Sequence, residues 1–237
     1  YEAMIPIYLA VFFLAASCVS FFNLYDERRR RGEDWIRTRS HCNACGRPIP
    51  WPYLIPVLGY FIANGRCFCG EKISPLHPLT EGVGGALVVF LSVRHGMDRR
   101  TLFWIAGIFI LYLLAVEDSR YRDVYTKDLI VGGTVFVVGL LLNHSLHPLS
   151  GFFILLIMGV LYLLFPKAVG EGDIYYASLF ALGIEGIWNS YLFFTWAFIT
   201  AAVVSGGLFL LKLTKERAFP MFPFFLWAYV IVENFLL

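Results

Sequence analysis

The sequence predicts an all-α polytopic membrane protein with about eight transmembrane helices and a small cysteine-rich insertion. Of its 237 residues, 59% are hydrophobic, 18% are aromatic and only 15% are charged. Soluble domains carry about 25% charged residues and roughly half apolar ones, so this composition excludes an ordinary soluble domain. The formal net charge of +2 is too small to indicate a nucleic-acid partner.

Eight apolar runs approach the roughly 20 residues that a spanning helix needs in a lipid bilayer. They lie at about residues 5–25, 79–93, 101–117, 128–142, 150–165, 174–187, 189–211 and 219–237. The second and sixth runs are short and contain glycine, so the pattern defines their bounds least well.

Lysine and arginine residues predict the orientation in the membrane. If the eight runs alternate and the loop 26–78 is cytoplasmic, the cytoplasmic loops hold 16 of the 19 Lys and Arg residues. The other three are Arg94, Arg99 and Arg100, which share one short loop on the opposite side. The positive-inside rule therefore predicts that the loop 26–78 faces the cytoplasm and that both termini lie outside.

The chain divides into three predicted parts. Residues 1–25 form the first transmembrane helix, residues 26–78 form a polar insertion, and residues 79–237 form a membrane-embedded helix bundle. The insertion holds four of the five cysteines and six of the eleven prolines. Its stretch IPWPYLIP (49–56) argues against a continuous helix, so we expect a small irregular module on the membrane face. The pattern does not indicate an oligomeric state.

Two cysteine pairs in the insertion predict a structural zinc site. Cys42 and Cys45 form a C-x2-C pair, Cys67 and Cys69 form a shorter C-x-C pair, and a glycine follows each pair. Two cysteine pairs of this kind, each in a tight turn, supply the four thiolates that are typical of a tetrahedral zinc site. About fifty residues with few aliphatic side chains cannot build a core alone, so a bound metal would supply folding energy.

The alternatives for these cysteines are two disulfides or four thiols without a ligand. A reducing cytoplasm disfavours disulfides. Because the C-x-C pair is one residue shorter than usual, His41 and His77 are candidates for a further ligand. Cys18 lies in the first apolar run, where we expect a small buried apolar residue.

Acidic residues border two of the apolar runs on the predicted cytoplasmic side. The third run ends in LYLLAVEDSRYRDVYTKDL, and GEGD precedes the sixth. The acids are Glu117, Asp118, Asp123, Asp128, Glu171 and Asp173. By topology both clusters face the same aqueous side at similar depth, so two carboxylates can meet across the bundle. Two carboxylates that share one proton are the machinery of aspartic proteolysis.

Asp118 and Asp173 are the predicted catalytic pair. Asp118 directly follows an apolar run and Asp173 directly precedes one. Asp123, Asp128 and Glu171 lie in a loop or among basic residues, where a solvated charge is expected. The alternative reading for both aspartates is helix capping, since an acid is favoured at the start of a helix.

The motifs together resemble a known family, the bacterial type IV prepilin peptidases, also called leader peptidase/N-methyltransferases. The resemblance covers nearly the whole chain and includes GEGD, which matches the G-x-G-D motif. The other matching stretches are SFFNLY with Asn23, RGEDWIRTRSHCNACG, WPYLIPVLGYFIANGRC, CGEKISPLHPLTE with Glu81, and FPMFPFFL. Val124 and Tyr125 stand where the family has an isoleucine–proline pair.

The resemblance implies a function. Asp173 is the aspartate of the G-x-G-D motif, and Asp118 matches the aspartate that ends the third span. The implied activity is cleavage of the basic leader of prepilins or pseudopilins at the cytoplasmic face of the bacterial inner membrane. Many relatives then methylate the new N-terminal amine with S-adenosylmethionine, so a second, N-methyltransferase activity is implied.

Two other functions stay open at this point. One is a presenilin-like G-x-G-D intramembrane protease, which would cut inside a transmembrane helix. Glu117 before Asp118 and the cysteine module both count against it. The other is a non-enzymatic channel or transporter whose carboxylates bind cations.

Overall fold

The computed structural model describes residues 4–37, 39–166, 169–212 and 219–236. The chain folds as two compact units, Tyr1–Val93 and Arg94–Leu237. Within the described residues there is no regular strand, only two isolated antiparallel bridges, His41 with Pro48 and Arg66 with Lys72. The predicted all-helical class is therefore confirmed.

Nine α-helices account for most of the described residues. They are α1 (Ile5–Arg31), α2 (Leu58–Ile62), α3 (Leu76–His95), α4 (Arg99–Tyr121), α5 (Thr126–Leu142), α6 (Pro148–Leu164), α7 (Glu171–Ala181), α8 (Ile187–Leu210) and α9 (Phe222–Ile231). A short 3-10 helix spans Trp51–Leu54, and a π-helical turn, Val232–Leu236, extends α9.

In the first unit, α1 begins and ends where its sequence dictates. Pro6 lies in the first turn, where its missing N–H costs no helical hydrogen bond. Four arginines fill the last turn, which suits the negative end of the helix dipole. Gly32 then ends the helix in the left-handed conformation, with φ of 70°. Helix α3 packs closely on α1, because a Cβ at Gly85 would lie 2.7 Å from the Phe12 ring.

The cysteine module of the first unit consists of two tight turns. The N–H of Gly46 donates to the carbonyl of Cys42 at 2.8 Å, and the N–H of Gly70 donates to the carbonyl of Cys67 at 2.9 Å. Both glycines have positive φ, 67° and 89°, which other residues adopt only with strain. This explains why a glycine follows each cysteine pair.

The second unit is built around the contact between α4 and α5. Asp98 caps α4, and its Oδ1 accepts hydrogen bonds from the N–H groups of Arg100 at 2.9 Å and Thr101 at 3.3 Å. Hydrogen bonds from the Thr101 hydroxyl and from these N–H groups hold the pKa of Asp98 below its usual value. Farther along, Gly107 and Gly139 let the two backbones approach, because a Cβ at either would collide with the opposite helix.

Aromatic side chains fill the core of the second unit. The Tyr229 ring lies 4.8 Å from that of Phe180 and 5.7 Å from that of Phe136. The Tyr229 hydroxyl accepts a hydrogen bond of 3.2 Å from the Trp104 indole N–H, so this buried polar group is satisfied. The core therefore fixes α4, α5, α7 and α9 relative to one another.

All eight predicted spans coincide with helices. Among the helices of the described residues, four are long and apolar enough to cross a membrane, namely α1, α3, α4 and α8. The sequence defined the bounds of the second and sixth spans least well. The helix at the second span, α3, has 20 residues and is longer than predicted, and the helix at the sixth span, α7, has 11 residues and is shorter than predicted. The predicted orientation also counted basic residues at positions 167–168 and 213–218. These positions lie outside the described residues. Cys18 is exposed on α1, so its predicted burial is wrong.

Candidate active site and metal centre

Asp118 lies in the last turns of α4 and is almost fully buried. Its residue is 8% exposed, and its Oδ2 accepts a hydrogen bond of 3.1 Å from the backbone N–H of Phe222. Phe222 is the first residue of α9, so this N–H has no partner within its own helix. A carboxylate at the start of α9 therefore satisfies a free backbone donor and is held in place by it.

Asp173 lies in the first turn of α7 and is half-buried. Its Oδ2 accepts a hydrogen bond of 3.0 Å from the backbone N–H of Gly170, while its own N–H donates to the Gly170 carbonyl at 3.1 Å. The capping contact that the sequence offered as an alternative is thus present. It leaves the other carboxylate oxygen, Oδ1, for further chemistry.

The two aspartates belong to the same unit of the fold. Phe222 links their surroundings. Its ring stacks on Tyr176 of α7 with centroids 3.8 Å apart, and a Cβ at Gly172 would lie 3.4 Å from the ring. Three helices therefore converge here, α4 with one carboxylate, α7 with the other, and α9 with a backbone donor.

The remaining acids of the two clusters lie in different surroundings. Asp123 and Glu171 are exposed, as expected, and Glu171 accepts a hydrogen bond of 2.9 Å from the Tyr162 hydroxyl. Asp128 is half-buried near the start of α5.

Glu117 is only 1% exposed, and the sequence argument gave it no role. Its position inside the apolar run, one residue before Asp118, was the available signal. It places a second acid within the buried end of α4.

Two ionisable carboxylates brought together in a largely apolar site can share one proton. When both are ionised they repel each other, and burial weakens the solvation that would otherwise offset this repulsion. Such a pair can remove a proton from water with one member and donate a proton to a carbonyl oxygen with the other. The site therefore has the groups that peptide hydrolysis by an aspartic mechanism requires.

The four cysteines of the insertion come together in the first unit. The Sγ atoms of Cys42, Cys45, Cys67 and Cys69 all lie within 4.8 Å of one another, and those of Cys42 and Cys69 are 3.8 Å apart. Zinc–sulfur bonds of about 2.3 Å in a tetrahedron place the sulfurs about 3.8 Å apart. The cluster thus fits a metal ion such as zinc with little rearrangement.

His41 belongs to a different network from this cluster. Its Nδ1 lies 3.3 Å from the guanidinium of Arg28 and 3.1 Å from the carbonyl of Arg39. Arg28 is itself buried and also donates to the Arg39 carbonyl at 3.0 Å. The described cluster groups the four cysteines without a histidine.

The backbone of the first turn favours a thiolate at Cys42. The N–H groups of Cys45 and then Ala44 donate hydrogen bonds to its sulfur and lower its pKa to about 7. At Cys67 the backbone N–H of Cys69 acts in the same direction, but contact with the Cys42 sulfur and burial outweigh it, and the pKa rises to about 11. The cluster therefore stabilises one negative charge at Cys42, in the form that binds a metal ion.

Fold and site define a multi-pass helical membrane protein with one buried and one half-buried aspartate in one unit and a four-cysteine cluster in the other. Residues 13–95 match the family model described as the bacterial peptidase A24 N-terminal domain. This match covers all four cysteines of the cluster.

Curated relatives match more of the chain. A prepilin leader peptidase/N-methyltransferase of Bacillus subtilis (strain 168) is 26% identical over 79% of this chain and 78% of its own length. Proteins of the same name from Legionella pneumophila and Klebsiella pneumoniae are 24% and 32% identical, over 87% and 49% of this chain and 76% and 56% of their own lengths. No solved structure matches the chain significantly. These findings confirm the resemblance to the bacterial type IV prepilin peptidases that the motifs indicated.

Proposed function

We propose that this protein is a membrane aspartic endopeptidase that cleaves the basic leader from type IV prepilins or pseudopilins and then methylates the new N-terminal amine. The observation that carries the proposal is that Phe222 joins the surroundings of both aspartates, because its N–H binds Asp118 and its ring packs against Tyr176 and Gly172 beside Asp173. The names of the relatives supply the substrate class and the second activity.

In the proposed hydrolysis, the aspartate pair holds one proton. The ionised carboxylate takes a proton from a water molecule as the water oxygen bonds to the scissile carbonyl carbon, and the protonated carboxyl donates to the carbonyl oxygen. The carbon–nitrogen bond then breaks, and the leaving amine takes up a proton. The leader ends in a new carboxylate and the pilin in a new amine.

The proposed substrate suits the position of the pair along its helices. A prepilin presents a basic leader followed by an apolar helix, so its cleavage point lies at the level of the lipid headgroups. Asp118 is near the end of α4 and Asp173 is at the start of α7, and neither is at the middle of a helix. The scissile bond therefore need not be drawn into hydrocarbon, where unpaired backbone groups are costly.

Methyl transfer is the second proposed activity. The lone pair of the α-amino nitrogen bonds to the methyl carbon of S-adenosylmethionine, the carbon–sulfur bond breaks with its electron pair left on sulfur, and a proton leaves the nitrogen for water. S-adenosylmethionine supplies an activated methyl group as the sulfonium. Zinc held by Cys42, Cys45, Cys67 and Cys69 would stabilise the cysteine module.

We further propose that the protein lies in the inner membrane with its aspartates and cysteine module on the cytoplasmic side. The proposal keeps the division into residues 1–25, 26–78 and 79–237. Its support is the concentration of basic residues in the loop 26–78. No observation on the described residues favours the presenilin-like or channel alternatives.

Co-expression with a candidate prepilin in a host that lacks its own prepilin peptidase tests the proposal. We expect the intact mass of the pilin to fall by the mass of the leader and to rise by that of one methyl group. An unprocessed pilin, together with ion flux that depends on Asp173, would instead support the channel.

A further inference from the structure

One segment of the cysteine module contains no charged residue, although it belongs to the polar insertion. It lies between Arg47 and Arg66 and folds as the 3-10 helix Trp51–Leu54 followed by α2. Several prolines interrupt it, so it cannot span a bilayer as one continuous helix. A short apolar segment of this kind is expected either in a protein core or at the surface of a membrane.

The outer face of this segment is exposed and does not pack in a core. Trp51 is 72% exposed, Phe61 64%, Ile62 49% and Leu58 46%. Leu58, Phe61 and Ile62 share one side of α2, because residues three and four apart lie on the same face of a helix. The other side of α2 is packed, since Gly59 is buried and a Cβ there would collide with the backbone of the 3-10 helix. Trp51, Leu58, Phe61 and Ile62 are called the outer patch below.

A hydrogen bond fixes the depth of the segment relative to α3. The N–H of Val57, between the 3-10 helix and α2, donates to Glu81 Oε2 at 2.7 Å. Val57 has a φ of 64°, which is uncommon for a β-branched residue, so this contact holds a defined turn. Glu81 is buried and lies about 7.5 Å along the helix axis from Leu76, the first residue of α3. The segment therefore lies beside the first turns of a helix that is long and apolar enough to cross a membrane.

The two ends of the cysteine module lie next to each other. Near the end of α1, Asn23 Nδ2 donates at 3.2 Å to the hydroxyl of Thr80, near the start of α3. Both helices are long and apolar enough to cross a membrane, and the described helices between them have only four and five residues. The module is therefore tied at both ends to the same side of the bilayer, at the level of the lipid headgroups.

Basic side chains border the outer patch. Residues 26–78 contain nine Lys and Arg residues and five acidic ones. Arg47 and Arg66 are exposed, and neither forms an ion pair with a carboxylate of the described residues. Basic residues next to a membrane attract anionic headgroups, and Trp is favoured at the membrane–water interface. A second copy of the chain would instead bring the same positive charges into the contact, where they would repel one another.

We propose that the outer patch inserts at the boundary between headgroups and acyl chains of the bilayer that contains α1 and α3, and that Arg47 and Arg66 bind the phosphates of anionic phospholipids. The partner of this surface is thus the lipid itself. The contact holds the cysteine module against the membrane. It depends on neither the proposed peptidase nor the proposed methyl transfer.

Photocrosslinking of the full-length protein in nanodiscs of phosphatidylcholine and phosphatidylglycerol tests the proposal. The photoreactive residue p-benzoylphenylalanine replaces Trp51, Phe61 or Phe68, and mass spectrometry identifies the adducts. Phe68 is the matched control, because it is also 64% exposed but lines a cavity of about 780 Å³ in the first unit, which no residue of the outer patch does. We expect lipid adducts at Trp51 and Phe61 and a loss of them at Phe68.

The variant Arg47→Gln with Arg66→Gln tests the contact with phosphate. In the protein with both arginines, we expect phosphatidylglycerol to be enriched among the Phe61 adducts relative to its share of the nanodisc lipid. The double variant should lose this enrichment and keep the adducts, because the apolar contact remains. The same enrichment in both proteins would overturn the arginine contact.

Tryptophan fluorescence gives a second measurement that needs no photoreactive residue. The chain has six tryptophans, and the difference between the wild type and Trp51→Phe reports on Trp51. We expect lipids brominated high on the acyl chain to quench this difference. A Trp51 signal that these lipids do not quench would overturn the proposal. Lipid adducts as frequent at Phe68 as at Phe61, or adducts with a second copy or with pilin in place of lipid, would do the same.

Discussion

At the scale of single residues, Asp118 and Asp173 are held by different backbone groups. The Phe222 N–H fixes Asp118 from another helix, and the Gly170 N–H fixes Asp173 from its own turn. Each contact uses one carboxylate oxygen, Oδ2. Both side chains are therefore oriented by the backbone, and in the proposed hydrolysis this lowers the cost of reaching the reactive geometry.

The first prediction concerns this pair. We expect Asp118→Asn and Asp173→Asn each to reduce leader cleavage by at least about 10²-fold, because an amide keeps the shape but cannot exchange the proton. The amide oxygen can still accept the backbone N–H, so the fold should survive. Initial rates of prepilin cleavage by purified variants are the measurement.

Asp123→Asn is the matched control for this prediction. The substitution is the same, but Asp123 is exposed after the end of α4, and we expect nearly full activity. An inactive Asp123→Asn together with an active Asp118→Asn would show that the wrong aspartate of this segment has been assigned.

At the scale of elements, two glycines determine how α4 and α5 pack. Gly107 faces the backbone of Phe136, and Gly139 faces that of Trp104. Backbone cannot move aside as a flexible side chain can. The contact therefore has no room for even one methyl group at either position.

The second prediction follows from this contact. We expect Gly107→Ala to destabilise the protein by about 1–3 kcal/mol or more, because the new methyl group forces α4 and α5 apart. Gly159→Ala on α6 is the control, since a Cβ there meets nothing within 4 Å. Thermal unfolding in detergent compares them, and equal midpoints for the two variants would contradict the close approach.

The cysteine module is the second element with a testable property. We expect purified protein to contain about one zinc per chain, since the four sulfurs all lie within 4.8 Å of one another and those of Cys42 and Cys69 are 3.8 Å apart. Elemental analysis of protein prepared without chelator measures this. Four free thiols and no zinc in such a preparation would exclude the metal site.

The fourth prediction separates the two activities through the same module. Cys42→Ser with Cys45→Ser should leave partial peptidase activity but little methyl transfer, because peptide hydrolysis by two aspartates needs no metal. Cys42 and Cys67 also line a cavity of about 780 Å³ in the first unit, so loss of the cluster alters the wall of this cavity. Intact-mass spectra of processed pilin measure both reactions, and full methylation by the double variant would contradict the coupling.

At the scale of the whole molecule, the chain combines two compact units with separate assignments. The first unit, Tyr1–Val93, holds the cysteine cluster, and the second, Arg94–Leu237, holds the two aspartates. The family model covers residues 13–95, which lie almost wholly in the first unit. The proposed methyl transfer and the proposed peptidase thus rest on different parts of the fold.

The fifth prediction concerns orientation. The short loops 122–125 and 143–147 flank α5 and should lie on opposite sides of the membrane if α5 crosses it. We expect alkaline phosphatase fused at 143–147 to be active and the same enzyme fused at 122–125 to be inactive. The reverse pattern would place the basic loop 26–78 outside the cytoplasm and contradict the positive-inside argument.

The sequence by itself determined the helical membrane class and the two cysteine turns, and it selected the two acids that we propose as catalytic. These features depend on local chemistry. Long apolar runs need a bilayer, the glycine after each cysteine pair adopts a positive φ, and an acidic residue next to an apolar run is identified from the sequence alone. The sequence predicted the helix bounds less well. For example, the apolar pattern continues to residue 187, but α7 ends at Ala181.

Only the tertiary structure decided which groups meet. The hydrogen bond between Asp118 and Phe222 joins residues 104 positions apart, and no local pattern encodes it. The same holds for Asn23, whose Nδ2 donates to Thr80 of another helix while its buried Oδ1 has no hydrogen-bond partner among the described residues. Which polar groups find a hydrogen-bond partner depends on their neighbours in three dimensions, so the contacts of the two aspartates are fixed only when the helices pack.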